Sequence, residues 1–270
     1  MPERGSMRKK FIGILCIFAA AVLAAVLVFK YLPIFYDYEN SKELYSDLQN
    51  KYTEENNADQ PTLDALLTGI EHRNKEFDPI DVDSEKLQDQ NPDYIGWIYI
   101  PKTDISYPVV ASADNSDYLH ADFNRAYSFP GTIFMDCQDT KGILNHHTIL
   151  YGHNMTNGTM FAQIKSYRDQ EFADEHPVFW FITPKYKLLY QVFSVCSPSP
   201  FDRQQYGIDG IDYKSNAEFN TAIEQMKKSS VIQSDKEVLD TDYIMSLSTC
   251  TGNSSVRCIV HGVLLGALEE

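Results

Sequence analysis

The amino-acid sequence predicts a mainly β protein. It should form an eight-stranded barrel with helices ahead of it, one helix inserted before the penultimate strand, and a single transmembrane helix at the N-terminus. Three observations predict this. From Pro79 onward, eight short runs of β-branched and aromatic residues are bounded by Pro, Asp, Asn and Gly clusters. The long connection between Pro198 and Asp242 holds one segment with a helical apolar face. An uncharged apolar run stands near the start of the chain.

Residues 1–6 (Met-Pro-Glu-Arg-Gly-Ser) read as an expression leader ahead of a natural start at Met7, and residues 1–10 as a cytoplasmic N-terminus. Arg8-Lys9-Lys10 precedes nineteen residues without a charge, 11–29, closed by Lys30. A helix of that length, at ~1.5 Å per residue, nearly spans a ~30 Å hydrocarbon core. The basic flank predicts a single-pass cell-membrane protein with its N-terminus in the cytoplasm and the rest outside. A cleaved signal peptide is the alternative, since Ala19-Ala20-Ala21 and Ala24-Ala25 offer small residues; a cleavable apolar region is usually shorter, which favours an anchor over residues 11–30.

Residues 31–78 form a predicted helical extension, in which 36–78 carry eleven Asp and Glu against four Lys and Arg. Leu44, Tyr45, Leu48 and Tyr52 follow helical spacing, predicting an amphipathic helix over 41–51. Leu63, Leu66, Leu67 and Ile70 predict a second helix over 62–73. Two helices propping the barrel above the membrane are the plainest reading, with a recruitment surface as the alternative.

Residues 79–270 are the predicted barrel domain, with strands over 94–100, 105–110, 132–136, 148–151, 178–183, 188–196, 243–249 and 256–264. Met160, Phe161 and Ile164 predict a helical turn after the fourth strand. Ser215-Asn216-Ala217-Glu218 is a capping box, and Phe219, Ala222, Ile223 and Met226 form one apolar face, so a helix is expected there.

Two stretches carry chemistry. Cys250 ends the seventh strand and Arg257 stands near the start of the eighth, across a Thr-Gly-Asn-Ser-Ser turn cluster. If the two strands pair as a hairpin, thiol and guanidinium meet at one end of the sheet, and an adjacent cation favours the reactive thiolate. For a lone Cys, burial as a small core residue would be the better explanation. The second stretch is Thr148-Ile149-Leu150-Tyr151-Gly152-His153, a strand running into a Gly-His turn that presents the imidazole. The order is therefore strand-His, then strand-Cys-loop-Arg-strand.

This order resembles the sortases, the Gram-positive cell-surface cysteine transpeptidases, on Leu247, Thr249, Cys250, Arg257, Gly152 and His153. The stretches 91–101 (Asn-Pro-Asp-Tyr-Ile-Gly-Trp-Ile-Tyr-Ile-Pro) and 105–110 (Ile-Ser-Tyr-Pro-Val-Val) are similar to the class B branch, as is a helix inserted before the penultimate strand. The loop between Cys250 and Arg257 has six residues, short for that branch. The resemblance implies that Cys250 attacks the peptide of a C-terminal sorting signal on a surface protein, often an Asn-Pro-x-Thr variant, and forms a thioacyl intermediate. It implies transfer to an amine of a peptidoglycan precursor or a pilin. His153 would move the protons and Arg257 would hold the oxyanion or the substrate backbone beside it. Ser248 and Thr249 are candidate substrate contacts. Class B members generally do without calcium, so no cofactor is expected.

Other chemistry is disfavoured. The net charge of −15 and the scattered Lys and Arg argue against nucleic acid as a partner. His146, His147, His153 and Cys250 fit no compact zinc spacing, so no metal is expected. His72, His120 and His176 read as helix-end or loop residues, and His261 as a satisfied sheet residue. Cys137, Cys196, Cys250 and Cys258 could make two disulfides outside the cell. Strand alternation turns Cys258 away from the face of Arg257, and none is expected. A papain-like order, Cys before His, is absent. A secreted cysteine peptidase that only hydrolyses, and a membrane-tethered barrel that binds peptides without turnover, remain open at this point.

Overall fold

The computed structural model describes residues 4–55, 79–139, 145–197, 213–250 and 257–269. The predicted helix over 62–73 and His72 lie outside the described residues. The chain opens on one helix, α1 (Arg4–Tyr52), which absorbs both the apolar run and the amphipathic segment that the sequence divides at Lys30. The two are continuous even though Pro33 lies inside, where it removes one backbone donor. The large apolar side chains of residues 11–36 are exposed, and those of the following turns are buried against the barrel. Ser41, Tyr45, Leu48 and Tyr52 make the buried stripe, at the spacing the sequence predicts. Tyr45 donates to the Gly131 carbonyl at 2.5 Å and packs edge-on against Tyr107. Tyr52 donates to Gln90 at 2.8 Å.

After α1 come two short strands that periodicity does not mark, β1 (Thr53–Glu55) and β2 (Ile80–Val82), paired antiparallel. A one-turn-scale helix follows, α2 (Ser84–Gln90), capped by the Asp83 carboxylate. These three elements are too short for a hydrophobic period to declare itself.

The barrel strands are β3 (Tyr94–Tyr99), β4 (Ser106–Ala111), β5 (Ile133–Met135), β6 (His147–His153), β7 (Val178–Ile182), β8 (Tyr186–Cys196), β9 (Ile244–Cys250) and β10 (Ile259–Glu269). They close in the order β10-β8-β7-β3-β4-β5-β6-β9, with β9 returning to β10. The eight-stranded prediction therefore holds. Two neighbouring pairs are parallel, β4 with β5 and β6 with β9; the other barrel pairings are antiparallel. Large side chains are fully buried on both faces of the barrel wall, Trp97 and Trp180 on one and Phe179 and Tyr190 on the other. Trp97 Nε1 donates to Ser106 at 2.9 Å, so the buried indole is satisfied.

Between β6 and β7 lie a 3₁₀ helix (Ala162–Arg168), at the expected helical turn, and α3 (Gln170–Glu175). Between β8 and β9 lies the expected inserted helix, α4 (Asn216–Lys228). Ser215 caps it by accepting from Glu218 N, while the Glu218 carboxylate takes the Lys214 N–H, one residue earlier than the capping box requires. Its face of Phe219, Ala222, Ile223 and Met226 covers a small second core with Phe193, Ile244 and Val263.

Candidate active site

Parallel pairing sets the site. β6 and β9 run side by side in a register that couples Gly152 to Thr249 and His153 to Cys250. Neighbouring strands lie ~4.8 Å apart, so the histidine and cysteine backbones are adjacent at one end of the barrel. About a hundred intervening residues separate them in sequence. Gly152 is required by crowding: a Cβ there would stand 2.4 Å from Ile133 Cδ1 and 2.7 Å from the Phe161 ring. β9 and β10 pair as the hairpin that the sequence anticipates. Thr249 N donates to the Cys258 carbonyl at 3.1 Å, and Cys258 N donates to Thr249 Oγ1 at 3.0 Å. These bonds bring Arg257 to the same end, one strand over from Cys250. Arg257 is half-buried, and its buried Nε has no hydrogen-bond partner among the described residues. Ser248 and Thr249 are buried, and the Thr249 hydroxyl is engaged by the Cys258 backbone.

His153 is half-buried in an aromatic stack. His120 lies 5.4 Å from it between ring centroids, at 24°, and Phe129 lies 6.1 Å away at 26°. His120 and Phe129 stack on each other at 5.5 Å, with His120 Nδ1 3.0 Å from the Phe129 carbonyl. The His153 Nε2–H donates to the Leu119 carbonyl at 2.9 Å. A carbonyl only accepts, so the neutral imidazole carries its proton on Nε2 and leaves Nδ1 as the basic atom. Burial holds this imidazole below its ordinary pKa; the Leu119 hydrogen bond opposes that, and the neighbouring His120 adds to it. Leu119 is itself held in place by Gly131, at φ +63°, where a Cβ would come within 2.5 Å of the Leu119 and Tyr118 carbonyl oxygens.

The sequence reading misses this stack. His120 reads as an ordinary loop residue, and Phe129 has no periodic context. The one local signal is the density of aromatic and His residues in 118–129. The other histidines are engaged elsewhere. His146 stacks on Tyr243 at 5.5 Å. His147 is buried with Nδ1 2.8 Å from Tyr213 Oη and Nε2 2.7 Å from Ser246 Oγ. His261 is a buried sheet residue as expected but only half satisfied: Nδ1 meets Ser246 at 2.6 Å, and Nε2 has no partner among the described residues. Among the described residues no three His, Cys, Asp or Glu converge as a metal site. Cys196 and Cys258 are buried free thiols, and Cys137 is an exposed one.

Comparison with known proteins places this geometry. The sortase domain family model matches residues 98–265, which run from β3 through the His and Cys strands to β10. Sortase B of Staphylococcus aureus is 37% identical over 166 residues, covering 62% of this chain and 66% of that protein, just under two thirds of its length. Sortase B of Listeria monocytogenes is 29% identical over 235 residues, covering 86% of this chain and 92% of that protein. The structure of a Staphylococcus aureus sortase B–substrate complex superposes with a TM-score of 0.68 at 30% identity, covering 84% of this chain and 96% of that one. With a family match across more than half its length and sortase B structures that superpose on most of it, this chain belongs to the sortase family, in the sortase B branch.

Proposed function

We propose that this chain is a membrane-anchored cysteine transpeptidase that cleaves a C-terminal sorting signal and passes the acyl group to an amine. The observation that carries the reading is the in-register pairing of His153 with Cys250, with Arg257 delivered to the same barrel end by the β9–β10 hairpin. In the first half-reaction His153 Nδ1 takes the Cys250 thiol proton, the thiolate attacks the scissile carbonyl, and Nδ1 passes that proton to the departing amine. The product is a thioester on Cys250. In the second, an incoming amine attacks that thioester, His153 takes its proton, and the thiolate leaves. Arg257 donates to the oxyanion in both steps, and its buried Nε–H, without a partner among the described residues, is a donor with capacity to spare. Ser248 and Thr249, buried and tied into the sheet, would offer backbone rather than side chains to the substrate.

The preferred substrates are surface proteins ending in an Asn-Pro-x-Thr-type signal, and the acceptor is an amine on a peptidoglycan precursor or a pilin. Residues 11–30, exposed along their length, serve as the anchor, with the barrel outside the cell. No cofactor enters the scheme. The test is incubation of the full chain with a sorting-signal peptide, with and without an amine acceptor. Amide product that depends on the acceptor supports transpeptidation. Hydrolysis alone, or binding without turnover, contradicts it.

A further inference from the structure

The contact between α1 and the loop beside His153 fixes where the site lies along the anchor. Phe129 N donates to the Asp37 carboxylate at 2.6 Å, and the Phe129 ring packs on Tyr38 at 5.8 Å between centroids. The same Phe129 ring stacks on His120 and His153. The histidine end of the barrel is thus attached to the turn of α1 that directly follows the exposed apolar residues, which end at Tyr36. Tyr45, bonded to Gly131 and Thr132, still lies at that end, and Tyr52, bonded to Gln90, marks where α1 has run on along the barrel.

We propose that the loop bearing Tyr127 and Phe129 lies against the outer headgroup layer of the bilayer, so that the cleft opens at the membrane surface rather than toward bulk solvent. The proposal rests on the anchor reading. With Arg8-Lys9-Lys10 at one face, a ~30 Å core at ~1.5 Å per residue takes ~20 residues and ends near Lys30. Asp37 then stands ~10 Å beyond the hydrocarbon edge, the headgroup layer plus little more. Tyr127 is 77% exposed, the highest value for a large apolar side chain among the described residues outside α1. It flanks the stack, 6.4 Å from the His120 ring. With Tyr36 and Tyr38 on α1, beside the turn that holds Phe129, it adds to an aromatic composition that membrane interfaces favour. The charged neighbour Arg125 is paired with Asp93 at 2.6 Å, and the chain as a whole is acidic, so the contact is made by rings and needs no anionic lipid.

The test uses the full chain in phosphatidylcholine vesicles brominated near the top of the acyl chains, reading tryptophan quenching. Trp97 and Trp180 are buried in the barrel and give a constant background. Three variants each add one Trp: Phe18→Trp within the apolar run, Tyr127→Trp on the loop, and Tyr186→Trp at the start of β8, the barrel end opposite Cys250. The expected result is strong quenching and a blue-shifted emission for Phe18→Trp, partial quenching for Tyr127→Trp, and none for Tyr186→Trp. Quenched Phe18→Trp with unquenched Tyr127→Trp overturns the seating while leaving the anchor standing. Unquenched Phe18→Trp overturns the anchor and the seating with it. Equal quenching of Tyr127→Trp and Tyr186→Trp means the barrel has no preferred face and also overturns the proposal.

Discussion

In the proposed chemistry Arg257 and His153 divide the work, and the role of Arg257 can be separated from mere charge. A Lys at 257 keeps the positive charge but loses the planar fork of donors. If Arg257 acts by directed hydrogen bonds, Arg257→Lys and Arg257→Ala should both lose ~10²–10³ in turnover, the usual cost of one oxyanion donor. Turnover near normal in Arg257→Lys, with the pH dependence of Cys250 alkylation unchanged, would leave only a charge effect. Gly152→Ala tests the crowding behind His153. The added methyl meets Ile133 and Phe161 under 3 Å, so a loss of about 1–3 kcal/mol is expected in denaturant midpoints. At this scale the sequence marks Cys250, Arg257 and His153 because each sits at a strand end in a recognisable order. It hides Leu119 and Phe129, because a carbonyl acceptor and a stacking ring leave no spacing signature. The loop holding them is brought to His153 by contacts more than twenty residues away in the chain.

Buried titratable groups give β6 and its neighbours a measurable pH signature. Burial lowers the pKa of His147 from 6.5 to about 3, and that of His261 well below its ordinary value. A depressed histidine stabilises the fold above its unfolded pKa, so this stability is lost as the pH falls below about 6.5. Asp139, in the turn between β5 and β6, is raised from 3.8 to about 7 by burial, against the Ile149 N–H that it accepts and with the nearby Asp136 carboxylate adding to the rise. A raised carboxylate works the other way: its stabilisation is present below 3.8 and is lost as the pH rises through about 7. Asp139→Asn should therefore raise the urea midpoint of the full chain in detergent at pH 8, with the gain vanishing at pH 4. An equal gain at both pH values would show that Asp139 is not titrating in this range. Strands β3 to β10 were legible from their composition, and α4 from its apolar face. The strands β1 and β2 and the helix α2 were not, because three to seven residues cannot display a period. Nor does sequence reveal that α1 runs unbroken: Lys30 interrupts the apolar run, while helix propensity continues through it.

Across the whole molecule, one long helix joins the apolar run to the barrel, and parallel closure of β6 on β9 assembles the site from distant segments. No local pattern announces that closure; the family likeness implies that His153 and Cys250 act together but not which strands pair. If residues 11–30 anchor the chain, the full-length protein stays in the membrane fraction after export; release of a soluble form with a new N-terminus near Ala25 would contradict the anchor. The chemistry meets its most direct test in the intact mass of the full chain after brief exposure to an Asn-Pro-x-Thr peptide without an amine acceptor. An acyl adduct that maps to the peptide containing Cys250, that is discharged by added amine to give an amide, and that is missing in Cys250→Ala is the predicted result. Substantial amide formation by Cys250→Ala, or an adduct on another residue, would contradict the account.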